Sequence, residues 1–189
     1  MRTHVLVESN QSAIMLARLL NAEQEAGLIE IRAAGPSSSL YSAARTLLAV
    51  RGEPVALLLD ADSTYPEAVA RRRLTAEEVV GDVASSAPLR VLVAVPALEA
   101  LLFLRPDPVE RAFGEAASDE HMLELGRLNP REALKRLDPG GHWWTASLNL
   151  VRTLNDGDIA ELRSTPPIDE LLEFLRDLHC SELAANTGS

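Results

Sequence analysis

The chain has 189 residues, 47% of which are apolar, and this composition favours one folded domain over a disordered chain. Its formal net charge of −10 argues against tight non-specific binding to nucleic acid, because such binding depends on basic groups that neutralise phosphates. A single cysteine excludes an intramolecular disulfide, and the lack of a signal peptide or a membrane-length apolar stretch predicts a cytoplasmic protein.

The first half of the chain alternates between strand and helix patterns. Residues 4–7 form a short apolar strand that ends at Glu8, and residues 28–34 alternate as a second strand. A helix pattern follows each strand, the first ending near Gly27 and the second near Gly52. Residues 37–39, all serine, begin the second helix and are either a helix cap or part of a phosphate site.

The third strand, residues 55–59, is a continuous apolar run that leads into Asp60 and Asp62. Such a run predicts a strand buried on both faces of a parallel sheet. The helix pattern that follows extends from Pro66 to residue 87, and its three arginines at 71–73 form either a solvated face or a group that steers phosphate. The fourth strand, residues 89–95, ends at a proline, and a helix with Glu99 in its first turn follows.

This order of elements predicts an α/β fold with a right-handed, mostly parallel sheet of four or more strands and helices on both faces. Shorter helical patterns at 122–128, 131–137 and 168–178 predict a helical extension after the sheet. We therefore divide the chain into an α/β core at 1–105, an extension at 106–180 that packs on the core, and a flexible tail at 181–189.

Acidic residues follow three of the four predicted strands: Glu8, Asp60 with Asp62, and Glu99. Open α/β sheets bind ligands beyond the carboxyl ends of their strands, so we expect these carboxylates to face one crevice. Carboxylate oxygens suit hard cations such as Mg²⁺ or Mn²⁺, which activate water and stabilise a leaving oxygen in phosphodiester cleavage. The structural alternative is that these acids cap helices or interact with helix dipoles.

The order of these motifs resembles the Toprim domain of topoisomerases, primases and OLD-type (overcoming lysogenization defect) nucleases. Residues 5–9 and 58–63 are similar to its first strand with a terminal Glu and to its Asp-x-Asp segment. Residues 95–102 look like the Pro-x-x-Glu-Ala segment of OLD-like and small standalone Toprim proteins, and Gly35 fits the glycine after the second strand. Residues 129–135 are similar to a Pro-Lys segment of small OLD-like domains, although Arg131 follows the proline here.

The resemblance covers roughly residues 3–137 and implies a Toprim-like fold with metal-dependent cleavage of DNA or RNA, in defence or genome maintenance. It assigns Mg²⁺ or Mn²⁺ to the four strand-end acids, Glu8, Asp60, Asp62 and Glu99. Glu8 is alternatively the general base, and Arg131 or Lys135 would stabilise charge on the scissile phosphate. Because OLD-type nucleases carry an ATPase domain, we expect a separate ATPase partner, and the acidic charge predicts weak nucleic-acid binding without a partner or a second subunit.

Two other functions fit parts of the sequence. Asp60, Asp62 and Thr64 match the Asp-x-Asp-x-Thr motif of haloacid-dehalogenase-type phosphatases, in which the first aspartate is the nucleophile and the second is the general acid. The non-enzymatic alternative is a Toprim-like module that binds a partner or a metal without catalysis, and the negative charge favours it.

Both tryptophans follow a glycine-rich turn, in the run His142, Trp143 and Trp144. Aromatic side chains of this kind stack on the bases of nucleic acids. They also serve as anchors that hold a helical extension against a sheet. The sequence leaves both interpretations open.

Overall fold

The computed structural model describes residues 2–83 and 87–187. Its centre is a four-stranded, entirely parallel sheet in the order β2-β1-β3-β4. The strands are β1 (Thr3–Val7), β2 (Ile29–Ala33), β3 (Val55–Asp60) and β4 (Leu89–Ala94). The predicted α/β fold with a parallel sheet is therefore confirmed. The order reverses between β1 and β3, which is the position where open α/β sheets bind their ligands.

Helices connect the strands and form most of the chain that follows β4. They are α1 (Asn10–Leu19), α2 (Asn21–Glu25), α3 (Ser37–Thr46), α4 (Pro66–Gly81), α5 (Pro106–Phe113), α6 (Glu120–Leu128), α7 (Pro130–Leu137), α8 (Trp143–Thr153), α9 (Asp156–Arg163) and α10 (Ile168–Thr187). A π-helical turn, Leu47–Arg51, extends α3, and 3₁₀ helices span Leu98–Phe103 and Glu115–Ala117. No helix among the described residues combines the length and the apolar character needed to cross a bilayer.

The two faces of the sheet form two separate apolar cores. Leu6 of β1 and Leu57 of β3 pack with α3 and α4 on one face. Val5 of β1 and Leu58 of β3 pack on the other face with α1, the 3₁₀ helix Leu98–Phe103 and the helices from α5 to α10. Successive strand residues therefore enter opposite cores, as the two-residue period of a strand requires.

Local sequence signals fix where the helices near the carboxyl ends of the strands begin. Ser9, Asp119 and Asn129 cap α1, α6 and α7, each by accepting a hydrogen bond from a backbone amide three residues later. Pro66 and Pro130 begin α4 and α7, where the amide hydrogen that proline lacks would have no partner within the helix.

Four helix boundaries differ from the predicted ones. The first helix divides into α1 and α2, and α4 ends at Gly81 instead of residue 87, with residues 84–86 outside the described chain. The segment after β4 is a 3₁₀ helix, Leu98–Phe103, whose six residues are all buried. Helix α10 continues to Thr187 through the predicted tail, because residues 182–185 are strong helix formers, while residues 188 and 189 lie outside the described chain.

Candidate functional site

The carboxyl ends of β1 and β3 meet where the strand order reverses. Parallel pairing aligns Val7 with Leu58, which makes Glu8 level with Leu59 and one residue short of Asp60. Because side chains alternate along a strand, Glu8 and Asp60 point towards opposite faces of the sheet. The predicted acids therefore form two groups, one on each face.

Glu8 lies on the face that α3 and α4 cover. Its Oε1 accepts hydrogen bonds from the Ser37 hydroxyl at 2.9 Å and from the Arg72 guanidinium at 2.8 Å. Its Oε2 accepts a hydrogen bond from the backbone amide of Asp60 at 3.3 Å. Arg72 also donates to the backbone oxygen of Asp60 at 3.3 Å, so this one guanidinium links α4 to the ends of both β1 and β3.

Asp60 and Glu99 form the second group, on the face that the C-terminal helices cover. Asp60 is 7% exposed; its Oδ1 accepts a hydrogen bond from the Leu98 amide at 3.0 Å and its Oδ2 accepts one from Arg131 at 3.2 Å. Glu99 is 2% exposed, and neither of its carboxylate oxygens has a hydrogen-bond partner among the described residues. Burial of a carboxylate without a hydrogen-bond partner is costly, and it marks a position where a ligand is expected.

Burial and mutual repulsion change how these two carboxyls bind protons. Burial is the largest of the causes that raise the pKa of Asp60 to about 7, and the negative charge of Glu99 contributes to the same rise. Hydrogen bonding from Leu98 and the charge of Arg131 lower the Asp60 pKa in part. Burial also raises the pKa of Glu99 above its usual range. The pair therefore retains a proton near neutral pH, and a bound cation would displace it.

Asp62 and Arg131 form the exposed rim of this second group. Asp62 has a φ of 52°, in the left-handed region that aspartate adopts more readily than most residues, and its amide donates to the Pro96 carbonyl at 2.8 Å. Its Oδ1 lies 3.8 Å from the guanidinium of Arg131, which reaches both aspartates from α7. The same guanidinium lies 5.4 Å from the centre of the Trp143 ring. A cleft of about 230 Å³ opens beside Asp62 and Arg131.

The acids provide oxygen ligands of the type that Mg²⁺ and Mn²⁺ prefer, but they are not gathered around one point. Within residues 2–83 and 87–187 no three His, Cys, Asp or Glu side chains are placed to hold a metal ion. Instead Arg72 supplies positive charge to Glu8, and Arg131 supplies it to Asp60. Asp60 and Glu99 nevertheless fit a hard cation, because both are buried carboxylates and the second is without a hydrogen-bond partner in the described chain.

Of the two basic candidates on α7, only Arg131 contacts the acids. Lys135 lies one helical turn further along, is exposed, and forms no ion pair with any residue that the structure describes. Residues four apart lie on the same face of a helix, so Lys135 extends the positive face that Arg131 begins.

No protein-family model and no curated protein matches this chain. Among solved structures, the C-terminal region of the Burkholderia pseudomallei OLD protein aligns with a TM-score of 0.63 and 17% identity, over 94% of this chain and 98% of that one. The chain has the fold of the C-terminal region of OLD proteins, which we call the OLD-type fold. The C-terminal region of the OLD protein of Xanthomonas campestris pv. campestris aligns with a TM-score of 0.58 and 15% identity, over 96% of this chain and 97% of that one. The resemblance found in the sequence is thus confirmed at the level of the fold.

The OLD-type fold brings two residues to Glu8 that the sequence did not assign to the site. Ser37 belongs to the serine run that predicted a cap or a phosphate site, and Arg72 belongs to the arginine run that predicted a solvated face or phosphate steering. The available signal was topological. With β1 between β2 and β3, the helices that follow β2 and β3 begin beside the carboxyl end of β1.

Proposed function

We propose that this protein is a metal-dependent phosphodiesterase that cleaves DNA or RNA, with Mg²⁺ or Mn²⁺ held by Asp60 and Glu99 and completed by Asp62. The observation that carries the proposal is Glu99: it is buried beside Asp60 at the ligand-binding edge of an OLD-type fold, and its oxygens have no hydrogen-bond partner in the described chain. A bound cation would give this carboxylate the partner that buried charge requires.

Each residue of the second group has a distinct part in this proposal. The Leu98 amide fixes Asp60 Oδ1, so the oxygens that would hold the cation are those of Glu99 together with Asp60 Oδ2, once Arg131 releases Oδ2. When bound, the metal supplies an activated water and charge stabilisation for phosphodiester cleavage. Arg131, whose side chain is 45% exposed, can turn from the aspartates to a phosphate of the substrate, where a guanidinium stabilises negative charge.

Glu8 remains in the proposal as a second carboxylate at the same edge, either a ligand or the general base. Its support is the hydrogen bond that the Asp60 backbone amide donates to Glu8, which keeps the two acids adjacent across the sheet. Arg72 holds Glu8 from α4 and is therefore a positioning residue. Lys135, one turn beyond Arg131, would bind the substrate backbone further from the reacting phosphate.

The test is cleavage of plasmid DNA and of single-stranded RNA with Mn²⁺ or Mg²⁺, with the wild-type protein compared with Asp60→Ala and Glu99→Gln. Both variants are expected to lose cleavage, as is the wild type in EDTA. Asp82→Asn is the matched control, because this exposed acid follows α4 at the opposite edge of the sheet and its removal should leave cleavage unchanged. Cleavage that survives Asp60→Ala would contradict the proposal.

The second candidate is a Toprim-like module that depends on a partner, such as a separate ATPase, for its activity. Its support is the pairing of Glu8 with Arg72 and of Asp60 with Arg131, which balances the acids by arginine, together with the net charge of −10. A folded wild-type protein that gains thermal stability from Mn²⁺ but does not cleave would favour this candidate.

The haloacid-dehalogenase-type alternative has less support. It needs Asp60 as an attacking nucleophile, whereas this side chain is 7% exposed and both its oxygens accept hydrogen bonds. It also gives no role to Glu99. Hydrolysis of a small phosphate ester without cleavage of nucleic acid would favour the phosphatase over the nucleic-acid phosphodiesterase.

A further inference from the structure

Three aromatic side chains lie beside the second group of acids, where α8 begins. His142 and Trp144 stack with their ring centres 3.9 Å apart and their planes 15° from parallel. Trp143 meets Trp144 edge to face, at 6.1 Å between ring centres. The three rings thus form one continuous aromatic cluster, which we call the aromatic platform.

The aromatic platform is connected directly to the proposed metal site. Trp143 lies under the guanidinium of Arg131, at 5.4 Å from the ring centre, and that guanidinium contacts Asp60 at 3.2 Å. One side chain therefore separates the platform from the acids. A ligand that contacts Arg131 therefore lies close to Trp143 of the aromatic platform.

Anchoring of the helical extension accounts for Trp143 but not for the other two rings. Trp143 is half-buried and packs against the core on the face of the sheet that the C-terminal helices cover. Trp144 is 37% exposed and His142 is exposed, so their stacked pair faces solvent. Stacked aromatic rings at a surface are the means by which proteins hold unpaired nucleobases.

We propose that the His142–Trp144 pair is a stacking site for an unpaired base of the DNA or RNA strand whose phosphate enters the acid site. This inference rests on the proposed function and specifies its substrate: a single-stranded segment. In a duplex each base already stacks on its neighbours, whereas an unpaired base can turn onto the exposed pair. Arg131 and Lys135, on one face of α7, supply positive charge for the phosphates of the same strand.

The experiment is a binding titration in EDTA, which reads contact with nucleic acid without cleavage. A labelled oligonucleotide is titrated with protein and followed by fluorescence anisotropy, using single-stranded DNA, single-stranded RNA and a blunt duplex of the same sequence. Trp144→Ala should weaken the binding of a single strand about tenfold, the effect of losing one stacked base. Trp144→Phe should restore most of the affinity, and duplex binding should be the same in all three proteins. The DNA and RNA arms show which strand the platform prefers.

Two controls separate stacking from general damage to the fold. Val50→Ala shortens an apolar side chain that is 79% exposed, in the π-helical turn before β3, and should change neither melting temperature nor affinity. His142→Ala removes the other ring of the pair and should weaken single-strand binding even where Trp144→Ala lowers the melting temperature.

Several results would overturn the stacking site: no measurable single-strand binding by the wild type, equal affinity in Trp144→Ala, or an equal loss for duplex and single strand. Other results contradict the proposed function but not the stacking site, and the reverse also holds. A protein that binds single strands through Trp144 but never cleaves with Mn²⁺ contradicts only the nuclease proposal. A protein that cleaves independently of Trp144 contradicts only the stacking site.

Discussion

Without metal, the difference in unfolding free energy between the Asp60→Asn variant and the wild type should change with pH. It should shift in favour of the variant as the pH rises. The raised pKa of Asp60, about 7, means that the folded state keeps a proton that the unfolded chain has already released. The wild type therefore loses stability as pH rises from about 4 to about 7. Asparagine carries no charge at any pH, so the variant lacks this loss.

The magnitude follows from the interval between the two pKa values. From the ordinary value of 3.8 to about 7 the interval is roughly three pH units, and each unit corresponds to 1.36 kcal/mol, which gives at most about 4 kcal/mol. The amide also places an NH₂ group against Arg131 or against the Leu98 amide, and this costs about 1 kcal/mol at every pH. Comparing the variant with the wild type at two pH values removes that constant cost. Between about pH 4.5 and pH 8 the difference should change by about 3 kcal/mol.

The assay is urea unfolding of the wild type and the Asp60→Asn variant in EDTA at both pH values, with unfolding free energies taken from the linear extrapolation. Asp82→Asn, an exposed acid outside the site, should show no comparable change between the two pH values. Parallel pH dependence of the wild type and Asp60→Asn would refute the reasoning, because it would mean that Asp60 is charged in the folded state across the whole range.

Three further outcomes follow from the site. At pH 8, Mn²⁺ at one hundred times its dissociation constant should stabilise the wild type by about 2.7 kcal/mol, measured as a rise in melting temperature, and should leave Asp60→Asn nearly unchanged. Arg72→Ala removes the guanidinium 2.8 Å from Glu8, and urea unfolding should show a loss of about 2 kcal/mol. Gly126→Ala would place a Cβ 2.0 Å from the Phe103 ring, at the end of the 3₁₀ helix that carries the buried acid, so stability should fall by about 1–3 kcal/mol and metal binding should weaken.

Two control substitutions distinguish the loss of the specific contacts from the effect of any arginine-to-alanine or glycine-to-alanine change. Arg71→Ala removes the preceding arginine, which forms no ion pair within the described chain, and should cost little. Gly81→Ala adds a Cβ that meets nothing within 4 Å at the end of α4, and should be neutral or stabilising by about 0.5 kcal/mol. If Arg71→Ala were as damaging as Arg72→Ala, or Gly81→Ala as damaging as Gly126→Ala, the specific contacts would not be the cause.

The sheet could be predicted because its central strands are continuous apolar runs, which only burial on both faces explains. The edge at which the acids lie could also be predicted, because apolar runs of this kind indicate a parallel sheet and parallel strands all end at one edge. The division of the acids between two faces could not. It depends on the register of β1 against β3, in which Glu8 is level with Leu59 instead of Asp60, and a shift of one residue reverses the face of a side chain.

The resemblance named Arg131 as a site residue, but the ion pairs that Arg131 and Arg72 form with the acids could not be predicted, for a different reason. Arg131 and Asp60 are 71 residues apart, and their contact depends on how α7 packs against the 3₁₀ helix Leu98–Phe103. Arg72 lies in a run of three arginines, and the packing of α4 against the sheet decides which of them reaches Glu8. Periodicity identifies a helix and its apolar face, but the partner of a polar side chain depends on tertiary packing.

The cost of the buried acids separates a cation site from a structural role for the same residues. If Asp60 and Glu99 served the fold as helix caps, their neutral amide variants would lose stability at every pH, because a cap accepts hydrogen bonds best when it is charged. If they are held together for a cation, the same variants become more stable relative to the wild type without metal as the pH rises, and lose the stabilisation that metal provides. Stability in EDTA and stability in Mn²⁺ should therefore change in opposite directions in Asp60→Asn and Glu99→Gln, which a structural role for these acids does not predict.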